Sequence, residues 1–310
     1  METPGIRFIV TSLCNCDCTY CHNEWEPKTG PVSALEQEKI AELIAGAKKL
    51  GATEVAITGG EPLLKIDRVK TILKIGQDLE MWSSITTNGF LINKYADSLR
   101  ERGLKETHVH VPSLDPETYK HLMGKNADLG RVLDNLDTYR ESLGIIKINV
   151  PILDGTNNRE IPDFLNYFNP RRITPRFIES MSTNSFRAGA QQTFDDLIKK
   201  DLGDVVLTGS YLWGINKYDS SKGPFEILRC ICFDRKCDVC PETNFIHVDQ
   251  DYNVRPCNLR PYRIPTFEGK AEENLREGLE FLSQQTDIPE EYKSVWGHDY
   301  VPLRGLRGET

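Results

Sequence analysis

Along the chain, short runs rich in Val, Ile and Thr alternate with segments whose apolar residues recur every three or four positions. The runs predict strands over Ile6–Ser12, Glu54–Thr58, Trp82–Thr87, Thr107–Pro112, Ile145–Ile152 and Ile173–Ile178. The longer period predicts helices over Ala34–Leu50, Asp67–Leu79, Asn93–Arg102, Leu129–Leu143 and Arg159–Phe168. Gly51, Gly103 and Gly144 each follow a helix, where a C-cap glycine belongs. Repeated βα units imply a parallel sheet with right-handed crossovers. Six such units predict an α/β fold, a partial (βα)6 barrel of the TIM type, with its chemistry at the C-terminal ends of the strands. The pattern changes late in the chain. Ser182 to Gln192 is polar and reads as a linker, and Val301–Thr310 reads as a flexible terminus. Between them lie helical pieces and short strands such as Asn244–Val248. The expected division is residues 1–182 as the barrel and 183–310 as a small second domain with a tail.

Composition narrows the class. A chain of 310 residues with 39% hydrophobic and 27% charged residues can bury a large core. A net charge of −8 offers no basic stripe, so nucleic acid is not an expected partner. Apolar runs fall far short of a membrane span, and the N-terminus lacks a basic segment followed by a long apolar one. A cytoplasmic protein without membrane contact is expected. The nine cysteines fall into two groups, at 14–21 and 230–257. An odd number excludes complete internal pairing, so clustered metal ligands are the stronger reading.

The first group reads Cys14-Asn-Cys-Asp-Cys18-Thr-Tyr-Cys21 and directly follows the first strand. Three thiolates spaced C-x3-C-x2-C can hold three irons of a cubane cluster. The fourth iron stays open, which suggests catalysis rather than structure. A structural zinc site would want four closed ligands, with His22 as the available fourth. Cys16 reads as a bystander.

Cys14-x3-Cys18-x2-Cys21 resembles the signature of the radical S-adenosylmethionine (SAM) superfamily. Gly59-Gly60-Glu61-Pro62 after strand two resembles that superfamily's GGEP motif, where the alternative is a plain βα turn. The resemblance implies a [4Fe–4S] cluster that chelates SAM and an external one-electron reductant. Cleavage of SAM then gives a 5′-deoxyadenosyl radical that abstracts hydrogen from a small-molecule substrate. Glu61, or a backbone carbonyl beside it, would meet the SAM ammonium. Thr86-Thr87-Asn88-Gly89, Ser113-Leu114-Asp115 and Arg176-Phe177-Ile178-Glu179 resemble segments of the molybdenum-cofactor GTP cyclases. That likeness implies SAM contacts from Thr87, Asn88, Ser113 and Arg176.

On strand five, Lys147 and Asn149 share one face, opposite Ile148, Val150 and Ile152. The polar pair is expected to point into the barrel as substrate residues, the alternative being a solvated strand edge. Arg7 precedes Cys14 by the interval of a substrate-contacting arginine in the GTP cyclases. His108 and His110 alternate with Val109 and Val111. If Ser113, which has the valine parity, faces inward, both histidines face the outer helices, the alternative being that Pro112 disrupts that register.

The sequence departs from the GTP cyclases in its cations. Their Lys-x-Arg on strand two is matched by Glu54 and Ala56. Their Arg-x-Arg after the second C-x2-C is absent from Pro241-Glu242-Thr243-Asn244, and so is their Gly-Gly tail. A triphosphate needs several cations, so GTP is not the expected substrate.

Cys237-x2-Cys240 with Cys257 resembles the auxiliary-cluster (twitch-like) domain of these relatives, implying a second [4Fe–4S] cluster. Cys230 or Cys232 is available as a fourth ligand, and a zinc ribbon is the alternative. The expected activity is hydrogen abstraction from a small polar metabolite, nucleoside- or sugar-derived, in natural-product biosynthesis. A peptide-modifying enzyme and a non-catalytic zinc or cluster protein are the alternatives.

Overall fold

The computed structural model describes residues 5–21, 34–153, 155–179, 198–200, 202–211, 215–228, 245–256, 263–266 and 269–283. Strands β1 (Gly5–Ile9), β2 (Glu54–Thr58), β3 (Trp82–Thr87), β4 (Glu106–His110), β5 (Ile145–Ile152) and β6 (Thr174–Glu179) lie side by side in chain order. Every neighbouring pair among them is parallel. Helices α1 (Ala34–Lys49), α2 (Ile66–Asp78), α3 (Ile92–Glu101), α4 (Pro116–Met123), α5 (Leu129–Tyr139) and α6 (Ile161–Phe168) connect them.

The expected β2, β3 and β5 coincide with the observed strands, and the other expected elements shift by a few residues. The helix expected to run to Leu143 ends at Tyr139 and tightens into a 3-10 turn over Arg140–Ser142. Gly144 then turns the chain with φ +68, and a Cβ there would lie 2.2 Å from the Lys105 carbonyl oxygen. Helix α4 was not expected. Its signal was present in Asp115-Pro116: the Asp115 side chain accepts from Thr118 N at 2.8 Å, and Pro116 occupies the first turn.

Further strands extend the sheet at both edges. β9 (Gly223–Leu228) runs parallel to β6 and continues antiparallel through β8 (Ile215–Ser220) to β7 (Val205–Tyr211). At the other edge β10 (Ile246–Val248) runs parallel to β1 and pairs antiparallel with β11 (Val254–Arg255). Strands on both sides of the expected boundary at 182 therefore share one sheet among the described residues.

The period of two sorts each strand into faces. Ile6, Phe8, Val55, Ile57, Ile246 and Val248 pack outward against α1, α2 and a last helix, α7 (Ala271–Ser283). Val109, Ile146, Ile148, Val150, Phe177 and Ile227 do the same against α4 to α6. Each such fully buried side chain contributes about 1.5–3 kcal/mol. Helix α7 docks on α1 where Gly46 leaves room: a Cβ there would lie 3.1 Å from Glu272 N. Among the described residues no helix is long and apolar enough to cross a membrane.

Candidate functional site

The cysteine loop leaves β1 at the C-terminal end of the sheet. Cys14, Cys16, Cys18 and Cys21 are free thiols, with Cys14 and Cys21 exposed. The loop is held by its backbone: Asp17 N donates to Met123 O at 3.1 Å, and Thr19 N to Leu122 O at 2.9 Å. The Cys16 thiol hydrogen-bonds to Cys14 and Cys18 and favours their thiolates. Cys14 falls to about 6 chiefly through that bond, Cys18 is also lowered, and Cys16 itself is pushed up. Three accessible or half-buried thiols on one pinned loop, with Cys14 and Cys18 lowered in pKa, are a donor set suited to an iron–sulfur cluster. Cys14, Cys18 and Cys21 would hold it.

The Gly59-Gly60 turn packs against this loop. Gly60 N donates to Thr11 O at 2.7 Å, and Glu61 N to Leu13 O at 2.7 Å. A Cβ at Gly60 would lie 2.3 Å from Leu13 O, and one at Gly59 2.5 Å from Thr11 O, both backbone atoms that cannot swing away. The two glycines are thus required by the close approach of two backbones, not by a turn alone. Gly60→Ala is expected to displace the cysteine loop and to lower iron incorporation several-fold. Gly209→Ala, where a Cβ meets nothing within 4 Å, serves as the control. Iron analysis after anaerobic reconstitution checks this, and equal iron in the two variants would remove the packing role.

Glu61 is fully buried. Its Oε1 accepts from Leu63 N at 3.0 Å and Thr87 Oγ1 at 2.9 Å, and Oε2 accepts from Asn88 N at 2.8 Å. Burial raises its pKa to about 7 against those donors. The carboxylate thus ties the β2 turn to the end of β3, which leaves the neighbouring backbone, rather than the side chain, to face a ligand. Asn88 extends the tie: its Nδ2 donates to Asn15 Oδ1 at 2.7 Å and lies 3.9 Å from Cys14 Sγ. Ser113 is buried and donates to Glu160 at 2.8 Å. Pro62 opens the short 3-10 turn that Glu61 caps.

The inner face of the sheet is polar. Lys147 Nζ lies 2.8 Å from Glu106 Oε1 and 3.2 Å from Glu226 Oε1. Arg176 Nε donates to Glu226 Oε2 at 2.7 Å. Opposing burial, Arg176 and Lys147 hold the Glu226 pKa below its ordinary value. Ser84 Oγ donates to Glu54 Oε1 at 2.6 Å, and burial raises Glu54. The Arg7 guanidinium sits 4.8 Å from the centre of the Phe245 ring. Burial, partly offset by Glu54, lowers Arg7 to about 10. His247 stands in register with Arg7 and Arg255. Asn149, opposite Arg176, keeps a buried Oδ1 with no hydrogen-bond partner among the described residues.

The lysine and asparagine of β5 therefore share the polar face, while Ile148 and Val150 lie in the core. The expected orientation of the β4 histidines is corrected. Val109 and Val111 pack outward, and His108 and His110 face the polar interior, where His108 meets Glu106 and His110 Nε2 lies 2.7 Å from the Tyr20 hydroxyl. The strand ends at His110, and Pro112 breaks the alternation, so the parity of Ser113 does not carry back into β4. Glu106, Glu160 and Glu226 were missed as site residues. The Glu-Thr-His-Val-His alternation could have found the first of them. Cys230, Cys232, Cys237, Cys240, Cys257, His22, the linker and the tail lie outside the described residues.

Residues 8–168 match the radical SAM superfamily. The probable GTP 3′,8-cyclase of Archaeoglobus fulgidus is 31% identical over 281 residues, 89% of this chain and 92% of the relative. The GTP 3′,8-cyclase of Nautilia profundicola is 29% identical, covering 97% of this chain and 95% of the relative. Among solved structures, Streptococcus suis SuiB bound to S-adenosylmethionine matches with a TM-score of 0.64 at 15% identity. That match covers 88% of this chain and 65% of SuiB. The anSMEcpe structure with bound AdoMet matches with a TM-score of 0.56 at 14% identity, covering 91% and 84%. At such identities the structural likeness is one of fold.

Proposed function

Because the chain belongs to the radical SAM superfamily, in the branch of the GTP 3′,8-cyclases, we propose that it abstracts hydrogen from a small polar substrate carrying little net charge. A nucleoside or sugar derivative fits this description, and GTP does not. A [4Fe–4S] cluster on Cys14, Cys18 and Cys21, with SAM bound to it, would supply the hydrogen-abstracting chemistry when an external reductant delivers an electron.

The observation that carries the substrate reading is the balance of charge on the inner face. Lys147 and Arg176 are already engaged by Glu106 and Glu226, and Glu54 offsets Arg7. Burial, with Arg7 and Arg255 beside it, lowers the His247 pKa well below its ordinary value, so this ring adds no charge near neutral pH. A triphosphate entering such a site must compete with carboxylates for every one of these cations. Polyhydroxylated substrates instead find acceptors and donors already spaced along the strands.

Cys237, Cys240 and Cys257 are proposed to hold a second cluster. Its support is topological. The chain enters β10 and leaves β11 at the N-terminal end of β1, the end opposite the Cys14 loop. Cys240 precedes and Cys257 follows that hairpin in sequence.

Substrate-dependent formation of 5′-deoxyadenosine by the anaerobic holoenzyme tests the reading. GTP is expected to leave formation at its substrate-free level, while a panel of nucleosides and amino- or deoxysugars yields compounds that raise it several-fold. Conversion of GTP to a cyclised product would overturn the proposal.

A further inference from the structure

Strand β4 presents Glu106, His108 and His110 to the barrel interior. His108 Nε2 and Glu106 Oε1 are 2.7 Å apart, and Lys147 Nζ reaches the same oxygen at 2.8 Å. Glu106 is ionised: against burial, His108 and Lys147 hold its pKa down to about 2. A carboxylate only accepts, so Nε2 must carry the ring proton. Burial first, then the charge of Arg176, lowers the imidazole pKa to about 4 against the pull of Glu106, and the ring is neutral. Nδ1 is then a bare lone pair, with no hydrogen-bond partner among the described residues. The His108 side chain is 16% exposed, so it is neither sealed in the core nor open to bulk water. The groups facing it are Glu106 on its own strand, Lys147 on β5, Arg176 on β6 and, in register on β3, Thr86.

We propose that His108, oriented by Glu106, is the proton acceptor for the substrate in the barrel. Nδ1 takes the hydrogen bond and then the proton of a substrate hydroxyl. The O–H bonding pair stays on oxygen, and the imidazolium so formed faces the Glu106 carboxylate. The proposal rests on the interior being the substrate pocket of a radical SAM enzyme. It narrows the substrate to one whose hydroxyl sits on the carbon that loses hydrogen. Removing a hydrogen atom from a carbinol carbon makes its hydroxyl far more acidic, so the proton passes to Nδ1 after abstraction rather than before it, and the low pKa of the imidazole leaves that transfer uphill until product forms. Glu106 acts through His108 and is a positioning residue.

Two measurements test this. The first is nitrogen NMR of histidine-labelled, oxidised holoenzyme. His108 is expected as the Nε2–H tautomer from about pH 6 to about pH 8. Glu106→Gln, which keeps an acceptor, should retain it, and Glu106→Leu should lose it. An Nδ1–H tautomer or an imidazolium in the wild type would overturn the dyad. The second is turnover with the panel compound that most raises 5′-deoxyadenosine. With His108→Gln at unchanged iron content, product per 5′-deoxyadenosine should fall about 10²-fold. Parallel loss of both at unchanged iron content, or unchanged product, would overturn the role. Should His108→Gln lose iron, His108→Asn replaces it. If the wild type turns over no panel compound, the substrate reading fails, and the tautomer still decides the dyad.

Discussion

Cys18→Ala is expected to reduce reductive SAM cleavage to background. The Cys14, Cys18 and Cys21 thiols supply every protein ligand that the C-x3-C-x2-C loop offers a cubane, and a cluster on two thiolates has lost a third of its anchorage. Cys14→Ala and Cys21→Ala should behave alike. Cys16→Ala is expected to retain cleavage within a few-fold. Its thiol hydrogen-bonds to Cys14 and Cys18, so its loss weakens their thiolates without removing a ligand. Quantifying 5′-deoxyadenosine from the anaerobic, dithionite-reduced variants checks the set. Normal cleavage by Cys18→Ala would sink the ligand assignment, and loss with Cys16→Ala alone would move the ligand to Cys16.

The second large effect is expected from Glu61→Ala. The carboxylate accepts from Leu63 N, Thr87 Oγ1 and Asn88 N, all in a buried setting. Alanine strands each of these donors at about 1–3 kcal/mol, a sum comparable with the whole stability of many domains. A drop of about 10 °C in Tm is expected, and the β2 and β3 ends should separate, with SAM binding lost in the same preparation. Glu61→Gln keeps one acceptor oxygen and should fall between. Thermal melts and SAM binding by equilibrium dialysis check this, and an unchanged Tm in Glu61→Ala would show that the staple is dispensable.

Much of the barrel was legible because the physics that builds it is local. Short runs rich in Val, Ile and Thr between amphipathic segments fixed β2, β3 and β5 to the residue, and the C-cap glycines marked the ends of α1, α3 and the turn after α5. The cysteine loop and Gly59-Gly60-Glu61-Pro62 were legible because spacing is itself the chemical constraint. What the sequence could not say is how Glu61 is used, since its three donors come from different elements, Asn88 lying far along the chain. Nor could it say that Glu226, on a strand outside the six βα units, would close the ion-pair row with Lys147 and Arg176. Such long-range pairings are set by sheet order, and β9 beside β6 has no local signature. The histidine orientation turned on a local feature visible in the sequence: Pro112 breaks the alternation past the point where β4 ends, and the alternative that it disrupts the register is the one that holds.

Electron paramagnetic resonance of the reduced, anaerobically purified protein, before and after SAM is added, tests the assignment of an open-iron cluster most directly. A [4Fe–4S] cluster held by Cys14, Cys18 and Cys21 should give a reduced-cluster signal whose g-values shift on SAM addition, and the Cys14/Cys18/Cys21 triple alanine variant should show no such shift. A protein that binds zinc in place of iron, or a cluster signal that SAM leaves unmoved, would contradict the assignment.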